Sequence, residues 1–126
     1  MNKNPPALKT CMFVGSSRRD LQAFPDSVRQ GVGLALYEAQ NGLESTSVKA
    51  LKGFGGRQIL EVVEGFDGDT YRAVYTVRFV GVIYVLHVFQ KKSKKGISTP
   101  KQQIELIKRR LKVAEEHYKQ RQKKED

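Results

Sequence analysis

An α+β fold is expected, and three observations predict it. Three apolar runs of strand length, Gln58–Glu64, Thr70–Phe79 and Val82–Gln90, follow one another with only short turns between them. Two helical stretches precede this block and a long amphipathic one follows it. Strands grouped together, rather than alternating with helices, point to an antiparallel meander with helices packed on it. The predicted order is β-α-α-β-β-β-α.

Each element has its own warrant. Residues 1–7 contain Pro5-Pro6 and read as a loose N-terminal tail. Leu8–Val14 alternates well enough for an edge strand. Gly15-Ser16-Ser17 breaks it, and Ser16 or Ser17 is placed to cap a short helix over 16–24. Pro25-Asp26 restarts the chain. Val28, Val32, Ala35, Leu36 and Ala39 then recur at helical spacing, and Gly42 marks the end, so a second helix over 27–41 completes a helical hairpin. Residues 43–57, rich in Gly and Ser, read as a loop. Asp67-Gly68-Asp69 and Val80-Gly81 supply the turns of the meander. Thr99, Pro100 and Gln102 have the spacing of a capped helix start. Ile104, Ile107, Leu111, Ala114 and Tyr118 give that last helix an apolar stripe. One domain over 8–119 is expected, with a charged tail over 120–126.

Composition narrows the function. No apolar run approaches the roughly 18–20 residues that cross a bilayer, and the N-terminus has no signal-peptide pattern, so a cytoplasmic protein without membrane contact is expected. The single cysteine, Cys11, excludes an internal disulfide. Asp67 and Asp69 are better read as turn residues than as metal ligands, so neither metal nor other cofactor is expected. The net charge is +10 and is unevenly placed. Residues 91–126 carry 13 Lys+Arg against 5 Asp+Glu, a net of +8, so the excess begins at the end of the last strand. Such a segment is either a solvated basic helix or a surface for a polyanion.

The stretch VFQKKSKKGISTP places Lys91, Lys92, Lys94 and Lys95 within five residues. Crowded ammonium groups depress one another's pKa, which suits them to proton transfer as well as to phosphate binding. Arg72 lies in an alternating strand whose apolar set is Tyr71, Ala73, Tyr75 and Val77, so Arg72 points to the opposite, open face. Its alternative role is an ion pair with Glu61 or Glu64. His87 is either a hydrogen-bonded structural residue or an acid–base group. Lys52 and Arg57 flank the glycines of KGFGGR and would face the same cleft, and Arg78 shares the strand side of Arg72. His117 reads as a surface residue. Cations without a metal cluster suit RNA cleavage in which the 2′-hydroxyl attacks the adjacent phosphate.

The runs FPDSVRQGVGLALYEAQNG, LKGFGGRQILEV, DGDTYRAVYTVRF and IYVLHVFQKKSKKGISTP resemble the phage-derived, HigB-like branch of the RelE/HigB-type toxins, over about residues 9–118. The resemblance implies a RelE-like fold: a helical hairpin and a C-terminal helix on a curved antiparallel sheet of about four strands. It implies the toxin of a type II toxin–antitoxin pair, a ribosome-dependent mRNA endoribonuclease working without metal. The implied partners are a helix-turn-helix antitoxin, the ribosome and mRNA. Arg72, Lys91, Lys92 and His87 fall on the implied catalytic positions, with Lys94, Lys95, Arg57, Lys52 and Arg78 as RNA-binding residues. The same fold also hosts toxins that inhibit DNA gyrase, and a non-catalytic phage nucleic-acid-binding protein remains a third reading.

Overall fold

The computed structural model describes residues 8–55, 58–91 and 99–125. Lys92, Lys94, Lys95 and Arg57 lie outside the described residues, as does the expected tail over 1–7. The order is β1 (Thr10–Phe13), α1 (Ser17–Gln22), α2 (Asp26–Gln40), β2 (Val48–Ala50), β3 (Ile59–Phe66), β4 (Asp69–Thr76), β5 (Val82–Lys91) and α3 (Lys101–Glu125). The α+β architecture, the helical hairpin and the closing helix are those expected.

Local chemistry accounts for most boundaries. Asp26 stands in the first turn of α2, one place inside the Pro25 cap position, where its carboxylate meets the positive helix end and pairs with Arg29. Asp67 (φ 52°) and Gly68 (φ 83°) form the two-residue turn between β3 and β4, with Phe66 opposite Asp69. Two successive left-handed residues match the right-handed twist of a hairpin, and Asp-Gly provides them cheaply. Thr99 does not cap α3 as its spacing suggests. Its hydroxyl is buried and makes no hydrogen bond among the described residues. The helix continues through residues 120–125, which the sequence assigns to a tail.

Five strands form one sheet in the order β1-β5-β4-β3-β2, one more than expected. The extra strand is β2, three residues inside the stretch read as a loop, pairing Val48 with Val62 and Ala50 with Leu60. The sheet is also mixed. β1 runs parallel to β5, with Thr10 opposite Val82 and Phe13 opposite Val85, and the two are separated in the chain by α1, α2 and three strands.

The helices do not share one side of the sheet. Val28, Val32, Ala35, Leu36 and Ala39 of α2 pack on Leu60, Val62, Tyr71, Ala73, Tyr75, Ile83, Val85 and Val88. Ile107 and Ala114 of α3 pack on the reverse face, against Ile59, Val74, Val82, Tyr84, Leu86 and Phe89. The face expected to be open is therefore covered, which explains why β5 is apolar on both sides. A bulge sets its side-chain directions. Val74 pairs with His87 but Tyr75 pairs with Val85, leaving Leu86 as the extra residue. Uninterrupted alternation would put His87 beside Ile83 and Val85 under α2. The bulge returns His87 and Phe89 to the α3 face.

Candidate functional site

The α3 face of β3, β4 and β5 brings the charged strand residues together. Arg72 on β4 lies between Val63 and Phe89 in the ladder. It is 4 % exposed, and Glu61 is 3 % exposed. Arg72 Nη1 donates to Glu61 Oε1 at 3.2 Å and to Oε2 at 3.1 Å. Lys49, opposite Glu61 on β2, brings its ammonium to 3.7 Å from the same carboxylate. So of the two roles read for Arg72, the ion pair with Glu61 is made. One buried carboxylate is held by two cations.

Lys91 ends β5 on this same face, two residues beyond Phe89, and is 9 % exposed. A cleft of about 150 Å³ opens beside Glu61, lined by Lys49, Leu51, Lys52, Thr99 and Ile104. The exposed Lys52 lines this cleft with Glu61, the carboxylate that Arg72 pairs with. Arg78 does not. It lies six residues along from Arg72, about 20 Å at the strand rise, and bonds Glu115 at 3.0 Å.

His87 faces α3. Its ring stacks on Phe89 with centroids 4.9 Å apart, and Phe89 pairs with Arg72. Diagonal neighbours on one sheet face lie about 7–8 Å apart, so His87 and Arg72 share one patch. Arg110 Nη1 lies 3.4 Å from Nδ1 of His87, and Nε2 meets Gln103 Oε1. A guanidinium only donates, so Nδ1 accepts and Nε2–H donates to Gln103. That is a neutral imidazole. Burial lowers its pKa most; the Gln103 bond and Asp20 raise it, and the Arg110 charge lowers it further.

Arg110 ties three elements together. It donates to Leu86 O at 3.0 Å, the carbonyl freed by the bulge, and to Ser16 Oγ at 3.1 Å. Ser16 in turn bonds Asp20 at 2.8 Å. Gly15 (φ 58°) lets the chain pass beneath, since a Cβ there would come within 2.9 Å of Arg110 Nε.

Sequence reasoning missed Lys49, Gln103 and Arg110. Lys49 sits on a strand too short to show a period. Arg110 did carry a signal: it lies three residues after Ile107 and four before Ala114, on the apolar stripe itself. Among the described residues, no three His, Cys, Asp or Glu side chains gather closely enough to hold a metal ion. No helix among them is long and apolar enough to cross a membrane.

Fold and site together define a small, basic α+β protein with a cation-held carboxylate and a neutral histidine beneath a covering helix. Residues 19–112 match the family model described as "Phage derived protein Gp49-like". The chain belongs to that phage-derived family, in agreement with the phage-derived branch its sequence resembles. A chain of the toxin–antitoxin complex RelBE2 from Mycobacterium tuberculosis is similar in structure, with a TM-score of 0.45 and 19% identity. The match covers 68% of this chain and 100% of that one. The search of curated proteins finds no match.

Proposed function

We propose that the protein is the toxin half of a type II toxin–antitoxin pair and that it cuts mRNA on the bacterial ribosome without a metal ion. The observation that carries this reading is the anion site around Glu61. Arg72 and Lys49 already coordinate a carboxylate there, Lys91 shares the face, and the cleft beside it admits Lys52. A phosphodiester has the charge and the two-oxygen geometry to compete for the same cations. Membership of the phage-derived family and the net charge of +10 support the same reading.

In this mechanism the 2′-hydroxyl oxygen bonds to the adjacent phosphorus and the bond to the 5′-oxygen breaks. The products are a 2′,3′-cyclic phosphate and a 5′-hydroxyl end. Arg72 neutralises the charge that develops on the phosphate. A lysine among Lys91 and Lys92 gives the leaving oxygen its proton. His87 is in the protonation state of a base, and serves as one once Arg110 turns from Nδ1 to the arriving phosphate. Lys52, Lys94, Lys95 and Arg57 hold the RNA strand. The partner is an antitoxin with acidic residues and a helix-turn-helix domain, and both proteins act in the cytoplasm.

The test is induced expression in bacterial cells with mapping of mRNA 5′ ends within minutes. New cuts inside translated messages, lost in Arg72→Lys and in Lys91→Ala with Lys92→Ala, are expected. Arrest with intact messages and damaged DNA would replace this reading with gyrase inhibition. Absence of arrest would leave a binding protein.

A further inference from the structure

A second groove lies on the same α3-covered face but at the far edge of the sheet from Glu61, between the edge strand β1 and the last turns of α3. Its cationic end, about 280 Å³, is lined by Met12, His117, Arg121 and Lys124 together with Gln120. An adjoining space of about 140 Å³ shares Met12 and His117 and is otherwise mostly apolar, with Phe13, Tyr84 and Val113 among its walls. Among the described residues lining either part there is no carboxylate. The clefts beside Glu61 and beside Glu105 and Glu115 contain one and two.

The polar groups here are held in place. Tyr84, 1 % exposed, bonds His117 Nδ1 through its hydroxyl at 2.7 Å. Burial raises the phenol's pKa, so it keeps its proton. With Nδ1 engaged by the phenol, Nε2 is the ring nitrogen left for a ligand. Arg121 Nη2 reaches Thr10 Oγ1 at 3.4 Å, fixing the guanidinium at the edge of β1. Val113, His117, Arg121 and Lys124 follow at spacings of four, four and three, one stripe of α3. From Arg110 to His117 the helix rises about 10 Å, which separates this groove from the His87 contact.

We infer that this groove binds one nucleotide of a single-stranded RNA segment, with the base against Met12 and Val113 and the phosphate against His117, Arg121 and Lys124. An apolar slot joined to a cationic pocket suits the base and the phosphate of one nucleotide, and such contacts along a strand are sequence-tolerant. The inference rests on the reading that the protein acts on RNA, and it adds a contact outside the cleaving site. It gives the edge-strand and helix-end residues a ligand that neither the fold nor the catalytic proposal requires.

The experiment is a titration of the full chain with a fluorescent uridine-rich RNA oligonucleotide, repeated across salt concentrations. Arg121→Ala with Lys124→Ala should weaken binding ~10-fold at low salt and reduce the salt slope by about 1.4, two contacts at about 0.7 each. The charge-keeping pair Arg121→Lys with Lys124→Arg should restore most of it. Arg29→Ala, an exposed charge removed from α2 on the other side of the sheet, should bind this oligonucleotide like the native chain. Unchanged affinity and slope in the alanine pair would overturn the groove while leaving the cleavage reading intact. A native chain that binds no oligonucleotide would overturn the groove, whereas the cleavage reading stands or falls with the mapped mRNA ends. Loss of binding to an antitoxin alone, with RNA binding kept, would make the groove a protein contact and also overturn the inference.

Discussion

Arg72 and Glu61 are a buried pair, and their energetics differ from those of a surface ion pair. Each charge lost its water on folding, so the pair adds little net stability, whereas removing one partner strands the other. Arg72→Ala should cost about 3 kcal/mol, at the low end for a buried pair because Lys49 still faces Glu61. Arg72→Met with Glu61→Leu should recover most of that loss. Urea midpoints of the native chain and the two variants decide it; a single variant within about 0.5 kcal/mol of native would mean that water reaches the pair. His87 gives a second prediction at this scale. Its folded pKa is depressed by burial, below the unfolded value near 6.5. The unfolded chain therefore takes up the proton first as pH falls. The stability tied to neutral His87 is present above about pH 6.5 and is lost as pH drops toward and through the folded pKa. Native protein should lose more stability between pH 7.5 and 5.5 than His87→Asn does. Equal losses would show that His87 titrates alike in the folded and unfolded chains, so that burial does not hold it neutral.

The elements show what a sequence can and cannot convey. Repeats of 2 and 3.6 residues located β3, β4, β5, α2 and α3, because their apolar residues recur over eight or more positions. Asp67-Gly68 identified its hairpin because few dipeptides accept two left-handed residues. What failed was non-local. β2 is three residues long and exists because β3 offers it a partner. The bulge at Leu86 is a property of the β4–β5 pairing, and without it the direction of His87 could not be read. The Thr99 hydroxyl had the right spacing to cap α3, but the chain turns so that Thr99 lines the cleft instead. Part of the site was legible all the same: alternation put Arg72 on the face opposite Tyr71 and Ala73, with Glu61 or Glu64 as its alternative partner, and only the structure chooses Glu61. Helix α2 supplies a test of element energetics in its two central glycines. Nothing lies within 4 Å of a Cβ built at Gly33, while at Gly31 it would strike the Glu64 carboxylate. Gly33→Ala should raise stability by about 0.5–1 kcal/mol, the helix-propensity gain. Gly31→Ala should gain less, since Glu64 has to swing aside. Thermal melts that rank the two the other way would refute the placement of Glu64 over α2.

At the scale of the whole molecule, three layers replace the expected two, and that changes how a substrate can arrive. An open sheet face would have exposed Arg72, Lys91 and His87 to RNA directly. Instead α3 seals them, with Ile107 and Ala114 fully buried in its seam. Those residues belong to the same core that holds the sheet, so lifting the helix would cost about as much as losing several buried aliphatic side chains, roughly 1.5–3 kcal/mol each. Approach from the side is cheaper. The cleft between β2 and the start of α3 already reaches Glu61, and Lys49 and Lys52 stand at its rim as the cations a phosphate would meet first. The uneven charge favours the same route, because the +8 of residues 91–126 begins at Lys91, on the face beside this cleft. Reversing the rim charge is therefore the decisive change. Lys52→Glu touches an exposed side chain and should leave the melting temperature where it was, yet it places a repelling charge at the entrance. Growth arrest on induction should fall to near that of uninduced cells. Arrest at the native level with Lys52→Glu would mean that RNA enters elsewhere, and that Arg72 is reached only when α3 moves.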